Sequence, residues 1–231
     1  MSNAIFKRSL FWHARRAFVL AGLANMACVQ AQEANHSMSN QEVVRRIAQV
    51  DKPHAETMEN NPVTFRWQAL PFYRRFKLLI ADVNLRHRPL QFRYADDGAE
   101  LYILGATPDH IYKVNQREAL HLGLSDVSGY VRFFYENISG ADITVVEKPD
   151  DLHWLQSAQT EAAPRGKKQV AENLIHPIRV VQDAAGYTVV ATALRSDELV
   201  ELSLSIAPSG RVDVKNQKAL VEKLPVPQVF H

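Results

Sequence analysis

Leu199-Val200-Glu201-Leu202-Ser203-Leu204-Ser205-Ile206 alternates without a break. In an extended chain Val200, Leu202, Leu204 and Ile206 face one way, and Glu201, Ser203 and Ser205 the other. That period of two is the mark of a strand with one face buried. Residues 178–182, 187–194 and 211–214 have the same character, and Ala184-Ala185-Gly186, Ser196-Asp197-Glu198 and Pro208-Ser209-Gly210 supply the turns between them. The last third therefore reads as an antiparallel meander with one face on a core.

Upstream, helices enter the reading. Ser125 is expected to cap a helix running through Tyr130, Val131, Phe133, Phe134 and Ile138, with Gly140 past its end. Pro71 fits a first helical position, and Phe72, Phe76, Leu79, Ile80 and Val83 share one helical face, so a helix is expected there. Ser39-Asn40-Gln41-Glu42 is a capping-box pattern ahead of Val43, Val44, Ile47 and Val50, which predicts a helix over 40–50. Strands are expected at 63–68, 111–114 and 143–147. A hairpin is expected from 90–95 and 100–104 about Asp96-Asp97-Gly98. Residues 32–38 read as a disordered polar terminus, 51–62 as a connector, 156–168 as an exposed loop or linker and 169–175 as a short helix. The fold class is α+β, with early helices and a hairpin followed by the C-terminal meander. A polar N-terminal region at 32–62 precedes a domain at 63–231, which is one module or two lobes split near 156–168.

Leu101-Tyr102-Ile103-Leu104, Ile111-Tyr112, Tyr130-Val131-Arg132-Phe133-Phe134, Val145-Val146-Glu147 and Leu224-Pro225-Val226 together resemble an uncharacterised family of exported bacterial proteins. The similarity covers most of residues 90–226. It implies a single module and transfers no catalytic residues, because the family carries no assigned activity.

Residues 1–31 read as a cleavable bacterial signal peptide. Lys7, Arg8, Arg15 and Arg16 form the basic region, residues 17–29 the apolar run, and the expected cut follows Ala31. Thirteen apolar residues span about 20 Å as a helix, short of a hydrocarbon core of about 30 Å, so cleavage is favoured over a membrane anchor. A lipid anchor on Cys28 is disfavoured, since Asn25-Met26-Ala27 lacks the expected upstream Leu. Arg15-Arg16-Ala17-Phe18 matches the twin-arginine pattern, against the alternative of an ordinary secretory leader. The expected location is periplasmic or secreted.

The leader carries four basic residues and no acid. Its removal takes Lys+Arg from 27 to 23 against 25 acids, so the net charge of +2 becomes about −2. A global nucleic-acid-binding reading is thereby disfavoured. The single Cys leaves with the leader, excluding disulfides and cysteine nucleophiles from the remainder.

Catalytic patterns are scarce. His36, His54, His87, His110, His121, His153, His176 and His231 form no His-x-x-x-His pair, and Asp151-Leu152-His153 and Asp109-His110 are two-residue matches, so no metal or cofactor is expected. Gly123-Leu124-Ser125-Asp126-Val127 lacks the second glycine of a nucleophile elbow. Arg165-Gly166-Lys167-Lys168 lacks the length of a phosphate loop. Asp96-Asp97 and Asp150-Asp151 suit local hydrogen bonding at turns.

The least ordinary feature is charge. Arg66, Arg74, Arg75, Lys77, Arg86, Arg88 and Arg93 stand against the single acid Asp82, leaving the rest of the mature chain at about −8. Aromatic residues including Trp67 and Tyr73 are interleaved with them. The stretch is either a binding surface for an anionic envelope component or protein partner, or the wet face of a helix and a hairpin over a core. The function expected is a non-enzymatic exported binding or scaffolding module. The alternatives are an accessory subunit of a periplasmic redox enzyme co-exported by the twin-arginine route, and an envelope-polymer hydrolase whose site forms only on folding.

Overall fold

The structure, a computed structural model, describes residues 38–86, 88–105, 107–138 and 143–227. Residues 1–37, with the export-signal candidates Arg15, Arg16, Phe18 and Ala31, lie outside the described residues, as do His87 and Gly140. The described residues form one compact unit. It is α+β, with helices early and an antiparallel meander at the end.

The first sheet is antiparallel, in the order β1 (Val63–Ala69), β2 (Lys77–Asn84), β3 (Pro89–Asp96), β4 (Leu101–Ile103). Helices α1 (Asn40–Val50) and α2 (Lys52–Glu59) cover one face, packing Val43, Ile47 and Met58 on Leu79, Ala81, Val83 and Tyr94. Helices α3 (Pro108–Arg117) and α4 (Val127–Glu136) bring Ile111, Val114, Tyr130, Val131 and Phe133 into one core with Leu78, Ile80 and Ala95 of the other face.

That core continues into the second sheet through Val189, Val200, Leu202, Leu204 and Ile206. Its strands are β5 (Ile143–Val145), β6 (Arg179–Asp183), β7 (Gly186–Arg195), β8 (Glu198–Ile206) and β9 (Val212–Val221). The order is β5-β7-β8-β9, with β6 also on β7. The alternation quoted above appears as burial of Val200, Leu202, Leu204 and Ile206. Two further helices, α5 (Ser157–Thr160) and α6 (Ala162–Leu174), follow a short 3-10 turn (Pro149–Asp151), and α6 packs Ala171 on Leu199, Leu224 and Val226.

Several expectations are corrected. The helix expected after Pro71 is β2: Leu78, Leu79, Ile80 and Ala81 are all buried, because helices lie on both faces of this strand, and a continuous apolar run carries no period. The connector at 51–62 holds α2, whose N-terminus Asp51 caps and whose first turn accommodates Pro53. Residues 111–114 belong to α3, in which Pro108 opens the helix and Ile111 and Val114 share its buried side. The stretch at 156–168 carries α5 and most of α6. Asp126, not Ser125, stands at the cap position of α4. Met38, expected in a disordered terminus, packs against the α1–α2 cluster.

Two polar devices hold the connections. Buried Glu118 accepts from the backbone N–H groups of Arg74 (2.7 Å), Arg75 (3.0 Å) and Phe76 (3.2 Å), so one carboxylate fixes the turn between β1 and β2. Tyr130 donates to Gly210 O at 2.7 Å, and Asn115 Nδ2 donates to Ser209 O at 3.1 Å. Gly210 has φ +79°, and a Cβ there would sit 2.4 Å from Asn115 Nδ2 and 2.6 Å from the Tyr130 hydroxyl. Only glycine lets this turn seat on α3 and α4.

Candidate functional site

The first sheet ends early on one side. β4 pairs only Leu101, Tyr102 and Ile103 with Asp96, Ala95 and Tyr94. Beyond Ile103 a cavity of about 540 Å³ opens against β3. Gln91, Phe92, Arg93 and Tyr94 contribute from β3, Asp51 and His54 from the start of α2, and Tyr135, Glu136, Asn137 and Ile138 from the end of α4. Ile103 to Gly105 and residues Ile143 and Thr144 of β5 complete the lining. The volume lies within the range of small-molecule sites, about 300–1,000 Å³.

The α2 end is organised around Asp51, which is 8% exposed. Its Oδ1 accepts from the His54 backbone N–H at 3.5 Å, and its Oδ2 accepts from the His54 ring at 2.5 Å and from the Tyr94 hydroxyl at 3.1 Å. His54 stacks on Phe92 with ring centroids 4.0 Å apart. With Nδ1 held by Asp51, Nε2 is the ring nitrogen left for another partner. Burial and the Asp51 carboxylate push the Tyr94 hydroxyl well above its ordinary value, so it stays protonated and continues to donate.

The α4 end is less complete. Arg93 Nη1 donates to Glu136 O at 2.6 Å, and its Nε donates to Gln91 Oε1 at 2.8 Å. Burial and the neighbouring Arg66 depress the Arg93 guanidinium, while Glu136 and Asp82 act in the other direction. Asn137 Nδ2 donates to Phe133 O at 2.7 Å, which leaves Oδ1 as the atom without a partner. Tyr135 is 6% exposed and Asn137 2%. Among the described residues the buried side-chain atoms lacking a partner are the Tyr135 hydroxyl, Asn137 Oδ1 and His110 Nδ1, so two of the three belong to residues lining this cavity. Burial raises the Tyr135 phenol to about 12, keeping it protonated.

The basic stretch is divided by the fold. Lys77 and Asn84 are the two ends of β2, about 23 Å apart at the rise of a strand. Arg74, Arg75 and Lys77 stand at one end of the hairpin, Arg66 and Arg93 flank Ile80 at its middle, and Arg86 and Arg88 follow β2 at the other end. Arg75 pairs with Asp97, and Arg66 meets Asp82 at 3.1 Å. Gln91 holds Asp82 below the ordinary carboxylate range against the effect of burial, with help from Arg66 and Arg93. Arg86 and Arg88 are exposed and make no ion pair among the described residues. Tyr73 is buried, and its hydroxyl donates to Asn115 Oδ1. Trp67 is 40% exposed and donates to Asp96 at 2.9 Å. Of the nine residues named for binding, Arg93 alone lines the cavity.

The other candidates resolve locally. Asp151 accepts from the backbone N–H groups of Glu147 and Lys148, and Asp97 from those of Ala99 and Glu100. Among the described residues no three His, Asp or Glu side chains are grouped as a metal ion requires, and no helix is long and apolar enough to cross a membrane. Asp51, Tyr135 and Asn137 escaped the sequence reading. The Asp51-x-x-His54 spacing at a helix start was the one available signal. The α4 pair looked like helix core and helix end.

No protein-family model matches the chain, and neither a curated protein nor a solved structure matches it.

Proposed function

We propose that this chain is an exported binding module and that the cavity beside β3 is its ligand site. One observation carries the reading: a cavity of about 540 Å³ is lined by the hydrogen-bonded set Asp51, His54 and Tyr94 on one side and by Arg93. Export rests on the leader at 1–31, by the twin-arginine route if Arg15 and Arg16 are read as such, with the periplasm or the exterior as destination. Arg86 and Arg88 support contact with an anionic envelope component or protein at the hairpin tip.

His54→Ala tests the site. Removing the imidazole from the cavity wall is expected to lower occupancy of any co-purified small molecule in native mass spectrometry. Unchanged occupancy defeats the reading.

Hydrolysis of an envelope polymer is the second reading, and the Asp51–His54 pair favours it. An imidazole oriented by a buried carboxylate at a cavity wall has the form of a general base. Turnover of an envelope polymer abolished by His54→Gln would establish it in place of simple binding.

A further inference from the structure

We infer that the open edge of β1 takes an extended acidic segment of a partner protein as an added strand. No residue of β1 lines the cavity, so the two surfaces are independent.

β1 is the outermost strand of the first sheet and is paired on one side only, with β2. The Asn84 N–H donates to Pro62 O at 2.9 Å, so Pro62, Thr64, Arg66 and Gln68 turn their backbone groups towards β2. Those of Val63, Phe65, Trp67 and Ala69 turn outward. Val63 O accepts from Asn40 Nδ2 at 3.3 Å. Among the described residues the outward groups of Phe65, Trp67 and Ala69 meet no protein partner.

Such an edge is a template for another strand unless the chain guards it. The second sheet guards its own: β9 is out of register with β8 at two points and carries Lys215 and Lys218. β1 has neither device. Its register with β2 is unbroken, and no Lys or Pro falls within it.

Charge selects the occupant. Asp82 is the one acid on β1 and β2, and Arg66 and Gln91 already hold it. Lys77 lies opposite Ala69 at one end of the edge, with Arg74 just before it, and Arg86 and Arg88 follow β2 at the other end. All four are exposed and form no ion pair among the described residues. A second copy of the chain would set these cations against their own kind, whereas an acidic segment complements them. The side chains of an added strand alternate between the two faces of the sheet. Phe65 and the half-exposed Trp67, with ring centroids 6.5 Å apart, offer an apolar surface on one face, and Thr64, Arg66 and Gln68 stand on the other. The segment that fits therefore alternates an apolar residue with Asp or Glu.

The test is titration calorimetry of the full chain with acetylated peptides of the length of β1, alternating Val with Glu or Val with Lys. The Glu peptide is expected to bind at least about tenfold more tightly than the Lys peptide, and to lose about tenfold when its backbone nitrogens are methylated. Ala69→Pro removes an outward N–H without touching the β1–β2 ladder and is expected to weaken the Glu peptide about threefold. Lys77→Glu, at an exposed position, is expected to weaken it about threefold through charge alone. His54→Ala, which acts on the cavity, is expected to leave the peptide affinity unchanged. Equal affinity for the two peptides, undiminished binding of the methylated peptide, or a chain that dimerises in sedimentation and takes neither peptide overturns the inference.

Discussion

The two sheets share a core and an antiparallel order, yet they are buried differently. β2 of the first sheet lies between two helical layers, and its residues Leu78 to Ala81 are all inaccessible. β8 of the second buries alternate residues, and β6, paired with β7, leaves Val181 65% exposed. A strand covered twice must be apolar throughout, whereas a strand covered once must alternate. The first sheet is tied to its helices by polar contacts such as Arg46 to Asp96, and the second by alternating buried side chains together with polar contacts at its β8–β9 turn.

The polar contact at the edge of the first sheet should give the largest effect. Arg46 donates to both oxygens of Asp96, at 2.7 and 3.3 Å, and Trp67 adds a third donor. Burial alone would raise the Asp96 carboxyl, but Arg46, Trp67 and the Gly98 N–H outweigh it and hold it below the ordinary range. Arg46→Met leaves the buried carboxylate without its cation and is expected to cost about 3–5 kcal/mol in urea unfolding. Because the folded value is the lower one, the stability Asp96 contributes is fully present above about pH 4 and is lost as pH falls below it. The acid side of the stability profile should accordingly flatten in Arg46→Met. An unchanged acid slope in the variant removes Asp96 as its cause.

Core truncation comes next. Leu79 is 0% exposed, and Leu79→Ala should cost about 3 kcal/mol by calorimetry. The smallest effect belongs to the outer face of the second sheet, where Val181→Thr should change stability by no more than about 0.5 kcal/mol. Equal losses at both sites would erase the distinction between the sheets.

Legibility followed the same division. The meander was readable because each buried residue was flanked by a polar one, and Asp96-Asp97-Gly98 because Gly98 takes φ +89°. β2 was misread since Leu78-Leu79-Ile80 satisfies helical and strand spacing alike, and only the surrounding layers decide between them. α3 was missed because a Pro108 start with two apolar residues three apart is a weak helical signal. The cavity was illegible for another reason. Asp51, Arg93 and Asn137 come from three distant segments, and nothing local marks Asn137 Oδ1 as lacking a partner.

The seating of Gly210 against Tyr130 has a consequence for the order of assembly. The contact joins residues 80 positions apart, and the adjoining Asn115–Ser209 contact joins residues 94 apart. Closing loops of that size is entropically slow and rewards the chain only afterwards. During synthesis α3 and α4 emerge long before the turn that seats on them, with the apolar side that will meet β8 still bare. The helical layer is therefore capped only once Gly210 has been made and seated.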